Sequence, residues 1–176
     1  MLRNLTAVAV ASLVLGLAPM SAYGATITLD DPQGDAGGAR RLDVSSVRVA
    51  NNDDRVVVRV VFASDVPGDL IVSIDPRGAR GLRLVAQKRA GQGGGGRVSS
   101  QIVPDAFTDM TSRISPVTCD GYRLRWSGTV VRLTMPSTCL HDGDYGAIRV
   151  AVLTENGSDS DFAPETKKGT GWIARG

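Results

Sequence analysis

From Arg55 to Phe62 the apolar side chains alternate, with Val56, Val58, Val60 and Phe62 on one face and Arg55, Val57, Arg59 and Val61 on the other. Successive side chains of extended backbone point to opposite faces, so this period of two predicts a half-buried β-strand. Residues 44–50 pair naturally with it. Asn51, Asn52, Asp53 and Asp54 between them are turn formers, because their short side chains bond nearby backbone and tolerate left-handed geometry.

The same pattern recurs down the chain. Residues 70–74 and 82–87 predict a second hairpin, joined by Asp75, Pro76, Arg77 and Gly78, with Leu82, Leu84 and Ala86 sharing a face. Residues 122–126 and 129–135 predict a third, with Ser127 and Gly128 at the tip and Tyr122, Leu124 and Trp126 inward; this register sets Arg123 opposite Arg132. Residues 147–153 give a last strand. Residues 91–96 are glycine except for Gln92, which predicts a loop without packing partners. Residues 98–118 carry no clear period. Seven or eight strands without helical crossovers predict an all-β fold, an antiparallel β-sandwich of jelly-roll or immunoglobulin-like type.

The N-terminus breaks this pattern. Arg3 is followed by an uncharged run at 5–18, then Pro19, with small residues at Ala22 and Gly24, which together read as a signal peptide cleaved after Gly24. This run of fourteen residues is too short for a bilayer core, which needs about 20 apolar residues. The expected organisation is therefore a signal peptide at 1–24 and one secreted domain at 25–176, with no membrane span after processing. Such a domain is long enough to enclose a core.

Twenty Lys and Arg face 18 Asp and Glu, a near balance that argues against a nucleic-acid or polyanion binder acting through bulk charge. Cys119 and Cys139 are the only cysteines and flank the third hairpin; in an exported chain they predict a structural disulfide, closing a loop that stabilises by about 3 kcal/mol.

Four features could carry chemistry. Asp30, Asp31, Asp35 and Asp43, with Asp161 from a second acidic stretch at 156–161, could supply hard oxygen ligands to Ca²⁺, although neither stretch has EF-hand spacing and turn chemistry accounts for the same residues. Outward arginines, Arg123 and Arg132 among them, could form a strip for acidic glycans or simply a solvated sheet face. Trp172, near the end of the chain, could stack on a sugar ring. His141 is the one histidine; it could serve a hydrolase with an unidentified serine, but no Gly-x-Ser-x-Gly elbow accompanies it, and a loop histidine reads equally from its His-Asp-Gly-Asp setting.

Asp31, Pro32, Gly34 and Asp35, then Leu42, Asp43 and Val44, the strand at 47–49 and the valine-rich strand ending at Phe62 resemble the opening of secreted bacterial domains of the DOMON and family 9 carbohydrate-binding superfamily. The close of the chain, Asp161, Ala163 and Pro164 followed by Trp172, Ile173, Ala174, Arg175 and Gly176, resembles that of actinobacterial secreted proteins. The resemblance implies a jelly-roll-like sandwich that binds sugars or, in some members, haem, and adds weight to Asp31, Asp35 and Asp43 as structural or ion-binding positions. It transfers no sugar-stacking residue, and His141, Met110 and Met135 form no recognisable axial pair for haem. The resulting expectation is a non-catalytic secreted module for a carbohydrate or cell-envelope ligand, with Ca²⁺ as the candidate ion. A secreted hydrolase and an extracellular interaction or inhibitor domain are the alternatives.

Overall fold

The computed structural model describes residues 25–35, 42–91, 96–109, 115–165 and 168–176. The expected signal peptide and most of the glycine-rich loop lie outside them. Strands in chain order are β1 (Ala25–Asp30), β2 (Val44–Asn51), β3 (Arg55–Phe62), β4 (Gly68–Pro76), β5 (Leu82–Arg89), β6 (Arg97–Pro104), β7 (Arg123–Ser127), β8 (Val130–Pro136), β9 (Ala147–Asn156), β10 (Asp159–Ala163) and β11 (Ile173–Ala174). Two short 3₁₀ turns, Ser137–Cys139 and His141–Gly143, link β8 to β9.

The strands form two antiparallel sheets. One has the order β1-β2-β3-β8-β7; the other runs β10-β9-β4-β5-β6, with β11 also paired to β9. Each sheet turns one face inward, and the alternation read from the sequence decides which. Val56, Val58, Val60 and Phe62 of β3 meet Leu70, Val72 and Ile74 of β4, together with Ile148, Val150 and Val152 of β9, in a single buried cluster. Trp126 stacks on Phe62 with ring centroids 5.5 Å apart. Burial of this apolar area, at about 25 cal/mol per Å², is the main force holding the sheets together.

The third hairpin departs from the expected register. Its tip is Gly128–Thr129, because Gly128 adopts φ +55° and so lets Ser127 pair with Val130. The slip is two residues, so the inward faces survive, but Arg123 stands opposite Thr134, and Arg132 stands opposite Arg125. Cys119 and Cys139 are joined in a disulfide with Cα atoms 5.6 Å apart, across the end of this hairpin where Gly121 packs on Pro136.

β1, β6, β10 and β11 were not expected as strands. Five consecutive residues of β6, from Arg97 to Gln101, are exposed at the edge of the second sheet, so its inner face leaves little apolar signal. β10 reads Asp-Ser-Asp-Phe-Ala, a poor strand former, and is held by its pairing with β9 from Asp159↔Asn156 to Ala163↔Val152.

Candidate cation site at the seam of the two sheets

Where β1 and β2 of the first sheet approach β10 of the second, three acidic side chains converge. Asp31 and Asp35 bracket the turn that leaves β1, and Asp161 projects from the middle of β10. One carboxylate oxygen from each lies within 4.8 Å of the other two. Oxygens on opposite sides of a Ca²⁺ ion stand about 5 Å apart, since each bond is about 2.3–2.6 Å. The cluster has that scale, and oxygen donors alone suit a hard cation.

Local hydrogen bonds position these groups. The N–H of Gly34 donates to Asp43 Oδ2 at 2.7 Å, closing the turn back onto the residue that precedes β2. The N–H of Val44 donates to Asp161 Oδ2 at 2.7 Å, tying the start of β2 to β10. The Thr154 hydroxyl donates to the Leu42 carbonyl at 2.7 Å and anchors the same segment to β9.

These bonds leave two oxygens over. Asp31, 9% exposed, and Asp43, 3% exposed, each bury one carboxylate oxygen, Oδ2 and Oδ1 respectively, that has no hydrogen-bond partner. A buried charged group without a partner is costly. Burial, and after it the carboxylates of Asp161, Asp35, Asp43 and Glu165, push the Asp31 carboxyl up to about 7. Asp161 is also raised, chiefly by burial and by Asp35 and Asp43, while the N–H groups of Val44 and Phe162 pull it back. Asp35 and Glu165 are exposed and, with Ser160, Asp161 and Phe162, line a depression of about 340 Å³ that opens the cluster to solvent.

Of the five acidic residues singled out in the sequence, Asp31, Asp35 and Asp161 come together and Asp43 adjoins them. Asp30 does not. It is the last residue of β1, where Ile27 and Leu29 point inward, so the pleat turns Asp30 to the outer face opposite Ser46. Glu165 was missed; it lies four residues beyond Asp161, a spacing visible in the sequence but without meaning until β10 and its exit turn are in place.

The other candidates are dispersed. Trp172 is 41% exposed, but the guanidinium carbons of Arg149 and Arg77 lie 4.4 and 4.7 Å from its ring centre, so cations already engage the aromatic face a sugar would use. Trp172 sits by Arg149 near the start of β9, whereas Asp161 pairs with Thr154 near its end. Arg123 and Arg132 stand on the outer face of the first sheet. His141 is exposed in its 3₁₀ turn, and among the described residues no serine hydroxyl or carboxylate hydrogen-bonds its ring.

Fold and site together define an all-β domain of two packed antiparallel sheets with an acidic cluster where their edges meet. No family model, curated protein or solved structure matches the chain.

Proposed function

We propose that this chain is an exported, non-catalytic binding module for a carbohydrate or cell-envelope ligand, with its first loop fastened to the opposite sheet by a divalent cation, Ca²⁺, held by Asp31, Asp35 and Asp161. The observation that carries the reading is the pair of buried, unpartnered oxygens on Asp31 and Asp43 beside two further carboxylates. Hydrogen bonding within the protein leaves these groups uncompensated, and a bound cation reverses the sign of their environment. The Cys119–Cys139 disulfide is compatible with export. The two-sheet architecture supports the jelly-roll or immunoglobulin-like assignment at the level of two packed antiparallel sheets, and the family 9-like likeness rests on its short motifs alone.

Calorimetric titration of the purified, chelator-treated domain with CaCl₂, alongside its thermal unfolding, tests the cation. Binding with a rise in Tm is expected, and Asp35→Asn, at an exposed position where folding is not at stake, should weaken both. Absence of heat and of any Tm change in the wild type would overturn the reading.

A further inference from the structure

Four arginines stand in one row across the first sheet. Arg48 of β2 pairs with Arg59 of β3, Arg59 with Arg132 of β8, and Arg132 with Arg125 of β7. All four are exposed, and among the described residues none makes an ion pair. Other arginines are neutralised locally, such as Arg55 by Asp54, Arg89 by Asp69 and Arg149 by Asp75.

Folding does not account for the row. Like charges placed directly opposite on neighbouring strands repel, and this sheet contains three such pairs in succession. Protection against edge-to-edge aggregation calls for charge on edge strands, but β2, β3 and β8 are interior strands and only Arg125 lies on an edge. A local rule broken without structural compensation is the mark of a functional surface.

We infer that this face is the module's ligand surface and that its ligand is a linear anionic polysaccharide, lying across the strands with its carboxylates on Arg48, Arg59, Arg132 and Arg125. The inference rests on the binding-module reading and specifies the ligand class. Strands are about 4.8 Å apart, so the row offers one guanidinium about every 5 Å over about 14 Å, a regular ladder suited to an extended chain rather than a compact anion. Depressions of about 370 and 430 Å³ lie along one side of the row, over Ala50, Val57 and Thr134, with Asp54 at the far rim of the larger; Arg132 lines both, so the groove continues across the middle of the sheet. Guanidinium groups bind carboxylates through paired hydrogen bonds.

Recognition here is of charge, not of ring faces. Phe62, Trp126 and Tyr122 all pack against the core side, and the rows on either side of the arginines present Ala50, Val57, Thr134 and Arg123, or Asp30, Ser46, Val61 and Val130. That leaves no aromatic platform on which nucleic-acid bases could stack. Within the near-neutral chain the charge is uneven: three carboxylates converge at the seam, while the four arginines of the row carry no ion pair among the described residues.

The test compares the wild-type domain with Arg59→Thr/Arg132→Thr, whose threonines suit a strand, for binding to polyglucuronate, neutral dextran and a single-stranded oligonucleotide of matched charge. The expected result is polyglucuronate binding that declines steeply with salt, weakens about tenfold in the double variant and leaves Tm undiminished, with dextran inert. Unchanged binding in the variant, or tighter binding of the oligonucleotide than of the polyuronate, would overturn the inference. Asp35→Asn is carried in parallel. Absence of a Ca²⁺ response in the wild type, or an undiminished one in Asp35→Asn, alongside arginine-dependent polyuronate binding sinks the cation site alone, whereas a Ca²⁺ response that Asp35→Asn weakens, without polyuronate binding, sinks this inference alone.

Discussion

Asp161 accepts the backbone N–H of Val44 at 2.7 Å across 117 residues of sequence, so a carboxylate of one sheet holds the first residue of a strand in the other. The same side chain belongs to the acidic cluster, which places structural and electrostatic roles on one residue with opposite signs. The hydrogen bond stabilises the seam, while the charge repels Asp31.

Two substitutions separate those roles. Asp161→Asn keeps an oxygen for the Val44 N–H and removes the repulsion, so the cation-free protein is expected to be at least as stable as wild type. Asp161→Ala leaves that buried N–H unsatisfied and should cost about 1–3 kcal/mol. Urea unfolding in chelator reads both, and equal losses in the two variants would contradict the assignment.

The raised Asp31 and Asp161 carboxyls make a pH prediction. Their folded pKa values lie above the unfolded value of 3.8, so between those values the native state binds more protons than the unfolded chain. The stabilisation they give is complete below about pH 4 and is lost as pH rises to about 7, where Asp31 ionises. Thermal unfolding of the cation-free domain across that window should show this contribution falling, and Ca²⁺ should raise Tm more at the top of the window than at the bottom, because its ligands must be deprotonated. A Ca²⁺ effect independent of pH would argue against these carboxylates as ligands.

Relief of the arginine row should stabilise the free protein. Arg132 faces like charge on both sides, from Arg59 and Arg125, and Arg132→Thr is expected to add about 0.5 kcal/mol at low salt, with the gain fading as salt screens the row. Chemical denaturation at two ionic strengths would detect it. A loss of stability would mean that the guanidinium has a structural role.

Removal of the disulfide, as Cys119→Ala/Cys139→Ala, should lower stability by about 3 kcal/mol through the freed unfolded chain. Its distance from the acidic cluster leads to a second expectation, that the double variant retains the Ca²⁺-dependent rise in Tm. Loss of that rise together with stability would indicate that the hairpin end and the seam are coupled.

Trp172→Ala offers a contrast with the sheet arginines. Its ring is engaged by Arg149 and Arg77 on the other sheet, so polyglucuronate affinity should be unaltered within error. A marked loss of affinity would move the ligand surface to that side of the molecule.

Much of the secondary structure was legible because alternation is a local property. β3 runs from Arg55 to Phe62 as its valines indicate, and β2, β4, β5, β8 and β9 lie where period two placed them, differing at their ends. The third hairpin slipped by two residues because its register depends on which dipeptide turns, and Gly128–Thr129 prevailed over Ser127–Gly128. Faces survived the slip and cross-strand partners did not. β10 carried no strand signal at all, since Asp159, Ser160 and Asp161 are turn formers by themselves and become strand only against β9.

The sequence by itself determined which side chains face inward, the proximity of Asp31 to Asp35, and the outward direction of the arginines, because pleat and turn geometry act over a few residues. Only the tertiary structure decided that Asp161 completes the acidic cluster while Asp30 is turned away from it, and that Arg48, Arg59, Arg132 and Arg125 align. Both depend on which distant strands become neighbours, and that choice is made by burial of the whole core rather than by any local preference.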